Sequence, residues 1–391
     1  MVVSSRIKQF IDEQKRAAAA RHIPETVKLR LWGKSAGRCE YTGCNSPLWL
    51  DPVTKAEFNT AYIAHIIADK PTGPRGHPTL SPALRAEISN LMLLCDVHHR
   101  LIDKEDVAGH PVALLLGMKK RHEERVELLG SLTPEKRTHI VLYDARIGTQ
   151  HAGVSFHEAV EAILPDRFPA ESRAIELGLK NSFLEDKDPT FWAAEREHLQ
   201  AHFESSVRPR LTFGDVKHFS VFGFAPQPLL MVLGGLLSDV YASDVYQRHR
   251  EPNTWRWQED GEGQLYRIIP PTRSGGTPAL NLSLSATITN DRIEAVLGPD
   301  CSIWTLSIDN PDNDFLRKRA HLTEFRQTFR HLLDHVKAIH DPGSVLHVFP
   351  ALPVAVAVEI GRVRMPKADL PLKVYDQNTK NGGFSEALVL A

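Results

Sequence analysis

Cysteine is scarce: four in 391 residues make no disulfide scaffold, and a reducing cytoplasm is the natural setting. Long hydrophobic runs are also missing. A membrane span needs ~20 consecutive apolar residues, and the candidates, Leu229–Leu237 and Val354–Ile360, are interrupted or too short. Arg6, Lys8, Asp12 and Glu13 in the first turns are unlike a secretory signal. Neither a membrane partner nor export is expected. With 42% hydrophobic and 24% charged residues, the composition excludes collagen-like, coiled-coil and largely disordered chains. At ~100–200 residues per domain, the length predicts two to four domains.

The net charge of −1 conceals a division. Residues 1–150 hold 22 Lys+Arg against 17 Asp+Glu, and the remainder holds 25 against 31, so the parts carry +5 and −6. Nine basic and three acidic side chains fall in the first 38 residues, a balance that attracts polyanions but that a solvated basic helix face would also show.

Helix-forming composition and spacing cover residues 3–32 around a break at Pro24, and glycines at 33, 37 and 43 then impose turns. A short strand is expected over Tyr62–Ile67, then a Pro/Gly-rich loop, an apolar run at Leu91–Leu94, and helix from about His98 to Leu129 broken at Gly109, His110 and Pro111. Ser131–Lys136 reads as a linker. Beyond it, strands are expected at His139–Tyr143, Phe219–Phe224, Asn281–Ala286, Ser302–Ile308, Val345–Phe349 and Leu372–Tyr375, with a long amphipathic helix over Phe315–His340. This alternation predicts an α/β architecture.

An internal match supports duplication within that part. Val221, Phe222, Pro226 and Gly234 recur as Val348, Phe349, Pro353 and Gly361, each 127 positions later. Each copy is an apolar strand ending at a proline that opens an apolar segment. In such units a helix N-terminus near the strand ends is a ready anion site, so two copies, opened by Pro226 and Pro353, suit a ligand with two phosphates.

Three cysteines lie in the basic part: Cys39 and Cys44 in a glycine-rich turn, and Cys95 three residues before His98. Two knuckles supplying three thiolates and an imidazole match the ligand count of a closed structural Zn2+ site. Ordinary buried cysteines would require neither the paired spacing nor Gly37 and Gly43. Cys301 is set aside as a core residue.

Around these ligands stand His65, Asn90, His99 and Asp103. The order Gly37, Arg38, Cys39, Cys44, then Ala64, His65, Ile66, then Asn90 to Cys95, then His98 to Asp103 resembles the HNH endonucleases, whose ββα-metal fold joins two strands and a helix across one divalent ion. The resemblance covers roughly residues 27–125. It implies His65 as general base, Asn90 orienting His65 or its loop, and His99 with Asp103, at i and i+4, as ligands of a catalytic Mg2+ or similar ion. Ala64 stands where many family members carry an acidic ligand, leaving the metal shell to Asp103, water or phosphate.

The acidic part resembles the SAVED domain, a fused pair of CARF-like units, in Phe222 to Pro226, the long helix, His347 to Pro353, Glu359 to Arg362 and Lys373 to Asp376. The expected chain is therefore an α+β zinc-containing HNH module over 1–137, followed by an α/β SAVED domain over 138–391 made of two CARF-like Rossmannoid units meeting near 275. An HNH module ahead of a SAVED module is the arrangement of a CBASS antiphage effector. It implies double-stranded DNA as substrate, a cyclic dinucleotide or oligonucleotide as activator, and a homo-oligomer, a dimer that grows on activation. Trp255, Arg256, Trp257 and Tyr375 are candidate base-stacking and phosphate contacts, although the aromatics would equally serve a core or a subunit contact. Two other functions compete: a restriction enzyme that reads modified DNA, which calls for a basic second part, and a non-catalytic zinc-knuckle regulator, which has no use for His65, Asn90, His99 and Asp103 together.

Overall fold

The computed structural model describes residues 23–147, 153–179, 184–188, 190–259, 263, 266–273, 275–378 and 383–391. The helical stretch expected from residue 3 lies outside them up to residue 22. Two compact units divide between Leu132 and Thr133.

In the first unit, Pro24 opens α1 (Glu25–Lys34), and a glycine-rich knuckle leads to β1 (Tyr62–His65). After α2 (Leu80–Leu84), β2 (Leu91–Leu94) pairs antiparallel with β1, setting Tyr62 opposite Leu94 and His65 opposite Leu91. All four β2 residues are buried, which is why this strand reads as a continuous apolar run. The chain then enters α3 (Asp96–Arg100), which continues through a wider turn, Leu101–Glu105, and α4 (Val112–Gly130) starts after Pro111. Leu31, Leu48, Ile66, Ile102 and Leu115 close the core over β2.

The second unit holds two sheets. In the first, β3 (Arg137–Asp144), α5 (Phe156–Ile163), β4 (Phe168–Pro169), β5 (Ile175–Glu176), α6 (Phe191–His202), α7 (Arg208–Phe213), β6 (His218–Phe224), α8 (Gln227–Leu237) and β7 (Ala242–Tyr246) follow one another. Its strands run parallel in the order β4-β3-β6-β7, with β5 also pairing β3. The second contains β8 (Arg267–Ile269), β9 (Thr277–Ser283), α9 (Asn290–Leu297), β10 (Cys301–Ser307), α10 (Arg319–Ile339), β11 (Leu346–Ala351), α11 (Val354–Val363), β12 (Leu372–Asn378) and β13 (Gly383–Leu390). Its order is β13-β12-β11-β9-β10-β8, parallel except at the two edges.

Several expected bounds shift: the long helix starts at Arg319 and not Phe315, and the strand expected over Tyr62–Ile67 ends at His65. The strand expected at Asn281–Ala286 starts earlier and ends at Ser283, because Leu284 and Ser285 both turn their N–H groups to the Ala351 carbonyl. Strand β8 already belongs to the second sheet, so that half begins upstream of the boundary expected near 275.

The residues matched at an offset of 127 occupy equivalent places: β6 runs into α8 as β11 runs into α11, with Pro226 and Pro353 at the two helix N-caps. The helices cross where the matched glycines lie. A Cβ built on Gly234 would stand 1.9 Å from the Val358 carbonyl oxygen, and one on Gly361 would stand 2.0 Å from that of Met231. Since 231 and 358 also differ by 127, the contact is reciprocal about a local pseudo-twofold. Arg362 reinforces it, donating to the carbonyls of Ser238, Tyr241 and Ser243 and pairing with buried Glu359 at 2.7 Å. Backbone cannot be trimmed to admit a methyl group, so Gly234→Ala is expected to force the helices apart at a cost of about 1–3 kcal/mol. A lower urea midpoint checks this; an unchanged midpoint would mean that the crossing is looser than described.

Candidate functional site

In the first unit, the Cys39, Cys44, Cys95 and His98 donor atoms lie within 4.8 Å of one another. Left-handed backbone at Gly37, Gly43 and Asn45 lets the first knuckle turn this tightly, and a Cβ on Gly37 would meet the Trp49 ring at 2.9 Å. Cys95 is the N-cap of α3, so the helix start brings His98 back towards the thiols. Cys39 Sγ is 3.8 Å from Cys95 Sγ and 3.6 Å from His98 Nδ1, and Cys95 Sγ is 3.2 Å from that nitrogen. A tetrahedron with Zn–S bonds of ~2.3 Å and a Zn–N bond of ~2.0 Å has edges of ~3.8 and ~3.6 Å, so the donor set fits zinc.

Burial pushes the Cys39 thiol well up, so a thiolate there needs a cation beside it. Burial and the neighbouring His110 hold His98 below its ordinary range, in the neutral form that ligates metals. Tyr41 stacks on His98 at 4.0 Å between ring centroids. Because a carbonyl only accepts, His110 Nδ1–H donates to Asp106 O at 2.7 Å, leaving Nε2 to accept from the Tyr41 hydroxyl at 3.0 Å. That chain fixes the ring behind His98.

A separate cleft of about 240 Å³ opens between β1, the loop after it and the α3 extension, lined among others by His65, Asp69, Lys70, Thr72, His99 and Asp103. His65 ends β1, and its Nε2–H donates to the Arg85 carbonyl at 3.0 Å. The other ring nitrogen, Nδ1, is then the basic one. Ala64 alternates to the opposite face, 1% exposed and paired with Met92, so the position before the histidine belongs to the core.

Asn90, 3% exposed, holds the backbone just past His65. Its Oδ1 accepts from Ile67 N at 2.8 Å, its Nδ2 donates to Ile67 O at 2.9 Å, and its backbone carbonyl accepts from Ile66 N at 2.8 Å. Asn90 therefore bonds the loop and not the His65 ring. Across the cleft, His99 Nε2 and Asp103 Oδ2 are 3.4 Å apart, with Tyr62 stacked on the His99 ring at 4.9 Å. At i and i+4 the imidazole nitrogen and the carboxylate oxygen lie on one face of the helix. Sequence reasoning passed over Arg75, which binds Asp103 Oδ1 at 2.5 Å; its signal was one arginine between Gly73-Pro74 and Gly76 in a loop without regular structure.

The second unit treats its six candidates differently. Trp255 is 2% exposed, edge-on to Phe222 with the Arg248 guanidinium against its ring, so it fills the core. Tyr375 is also buried, stacked on Phe349 and hydrogen-bonded to His347 Nδ1 at 2.8 Å. Both take the core role that the sequence left open, and neither has a free ring face to offer a base. Arg256 is exposed and donates to the Glu161 carbonyl, while the indole N–H of half-buried Trp257 has no acceptor among the described residues.

At the two helix termini, Pro226 and Pro353 are the N-caps. Pro226, Pro228 and Pro353 bring no N–H, and the Ala355 N–H is taken by Gln247 Oε1 at 3.1 Å. Gln227 Nε2 in turn donates to Leu352 O. Each terminus is thus tied to the other half by a glutamine side chain.

Comparison with protein families matches residues 199–390 to the SAVED family, described as "SMODS-associated and fused to various effectors sensor domain". Among solved structures, the chain is similar to the Acinetobacter baumannii Cap4 SAVED/CARF-domain containing receptor with the cyclic trinucleotide 2'3'3'-cAAA, at 12% identity and a TM-score of 0.41, over 71% of this chain and 60% of that one. The Moraxella osloensis Cap4 SAVED/CARF-domain containing receptor matches at 15% identity and a TM-score of 0.36, over 72% and 59%. The chain thus spans about 60% of the length of these structures. No curated protein matches it. No helix among the described residues is long and apolar enough to cross a membrane.

Proposed function

Residues 199–390 are a SAVED sensor domain, and from that premise we propose that the chain is a metal-dependent HNH-type DNA endonuclease switched on by a cyclic di- or oligonucleotide in CBASS-type antiphage defence. The observation that carries the nuclease part is His65, its tautomer set by the Arg85 carbonyl, lining one cleft with His99 and Asp103. His65 Nδ1 takes the proton of the attacking water as its oxygen bonds to phosphorus and the ester oxygen departs. Asn90 keeps the strand end from retreating as the ring charges. His99 and Asp103 would hold the divalent ion, which supplies Lewis-acid polarisation of the phosphate and stabilisation of the departing oxygen. The Cys39, Cys44, Cys95 and His98 site is structural: four protein donors leave no open position.

The sensor acts by assembly. One cleft attacks one strand at a time, so cutting duplex DNA requires two clefts held close together, and messenger binding brings chains together. Plasmid nicking in Mg2+, with and without a panel of cyclic di- and trinucleotides, tests the reading, with light scattering on the same titration. Cleavage and mass are expected to rise together with one messenger. Full activation at constant mass would replace assembly with release of an inhibited monomer; DNA binding without cleavage under every messenger would favour the zinc-knuckle regulator.

A further inference from the structure

We propose that Arg75 is a positioning residue for the catalytic ion, holding Asp103 by one oxygen and tying that carboxylate to the backbone that carries His65. This rests on the nuclease reading above. The Arg75 side chain is 6% exposed, and its guanidinium makes four contacts. Nε donates to Ile66 O at 2.7 Å and Nη2 to His65 O at 3.4 Å, both at the end of β1. Nη1 donates to Ile102 O at 2.6 Å, and Nη2 also to Asp103 Oδ1 at 2.5 Å, both on the α3 extension. One planar fork thus spans both walls of the cleft.

The loop is shaped to deliver that fork. Arg75 has φ of 55°, a left-handed conformation that non-glycine residues rarely hold unless the surroundings enforce it. Gly73 N donates to Lys70 O, Gly76 N to Gly73 O, and Ala68 N to Pro74 O, closing the turn on both sides. A Cβ on Gly76 would stand 2.4 Å from the Pro71 carbonyl oxygen, so the residue after Arg75 must be glycine.

A staple that only joined two backbone segments would need carbonyl acceptors alone. Here one of the four acceptors is the carboxylate proposed as a metal ligand. With Oδ1 engaged, Asp103 presents Oδ2, the oxygen beside His99 Nε2, as a single-oxygen donor. Lysine would keep the charge and lose the fork.

The test uses the full zinc-loaded chain and Mn2+ as probe, with bound ion counted by the loss of the free-ion EPR signal. Wild type is expected to take up one Mn2+ beyond its zinc. Arg75→Lys should weaken that binding 10- to 100-fold with zinc content and circular dichroism unchanged, the usual effect of removing a group that orients a metal ligand. Asp103→Asn should weaken it at least as much, and the Arg75→Lys, Asp103→Asn double variant should bind no worse than Asp103→Asn alone, because Arg75 acts through that carboxylate. Wild-type affinity in Arg75→Lys, or multiplying losses in the double variant, would overturn the proposal. So would loss of zinc from both Arg75→Lys and Arg75→Gln, which would make the residue a fold staple only. A wild-type chain that binds no Mn2+ beyond its zinc would overturn the nuclease reading itself, and this proposal with it.

Discussion

Cys95→Ala is expected to empty the zinc site and unfold the described part of the first unit, residues 23–132, while the second unit keeps its structure. The unit is built from elements too short to stand alone: β1 and β2 have four residues each, and α3 has five before its wider turn. Their mutual geometry is set where Cys95, at the β2–α3 junction, meets the Cys39 knuckle, with the Cys95 N–H directed at Cys39 Sγ at 3.4 Å. A structural zinc ion contributes on the order of 10 kcal/mol of folding free energy in small modules, more than a core of this size supplies. Removing one thiolate also leaves Cys39 buried without the cation it needs. Metal content and hydrogen exchange across residues 91–105 are the measurements. A Cys95→Ala chain that is zinc-free yet fully protected there would show that the cluster is not what holds the unit together.

His65→Ala should leave zinc content, fold and messenger binding as they are and lower plasmid nicking by about 10²–10⁴-fold, the usual contribution of a positioned general base. Among the described residues the His65 ring donates only to the Arg85 carbonyl, and Asn90 holds the surrounding backbone independently, so the substitution removes a proton acceptor and little structure. Loss confined to the rate at saturating DNA is the pattern expected of a group that acts in the transition state. Wild-type nicking by His65→Ala would remove the residue from the chemistry.

Much of the first unit was legible because its constraints are local. Ligand spacing and knuckle glycines predict a metal cluster without tertiary information, and the structure brings the four donors together. The α/β alternation and the 127-residue offset were legible for a similar reason, since strand-to-helix units keep their order along the chain. What stayed hidden depends on neighbours distant in sequence. Trp255, Arg256 and Trp257 look the same on paper whether covered or open; Phe222, 33 residues before Trp255, covers the first ring. The helix N-termini have a partner that stayed hidden as well: Gln247 accepts from the Ala355 N–H, a bond across 108 positions that no local pattern announces. Arg75 was invisible because a loop motif shows which residue is presented but not the four acceptors it reaches.

The reciprocal glycine crossing constrains how the two halves can diverge. After an internal duplication, most paired positions drift freely, since a larger side chain in one copy can be met by a smaller one in the other: Phe224 stands against Ala351 in the matched frame, and Met231 against Val358. Positions 234 and 361 have no such partner to trade with. What each would strike is a main-chain carbonyl, present whatever residue carries it. Mutation can repaint every surface around the crossing, but it cannot remove that oxygen. Homologous chains that retain this helix pair should vary at 231 and 358 and keep both glycines, and a chain that lost one should have separated its halves.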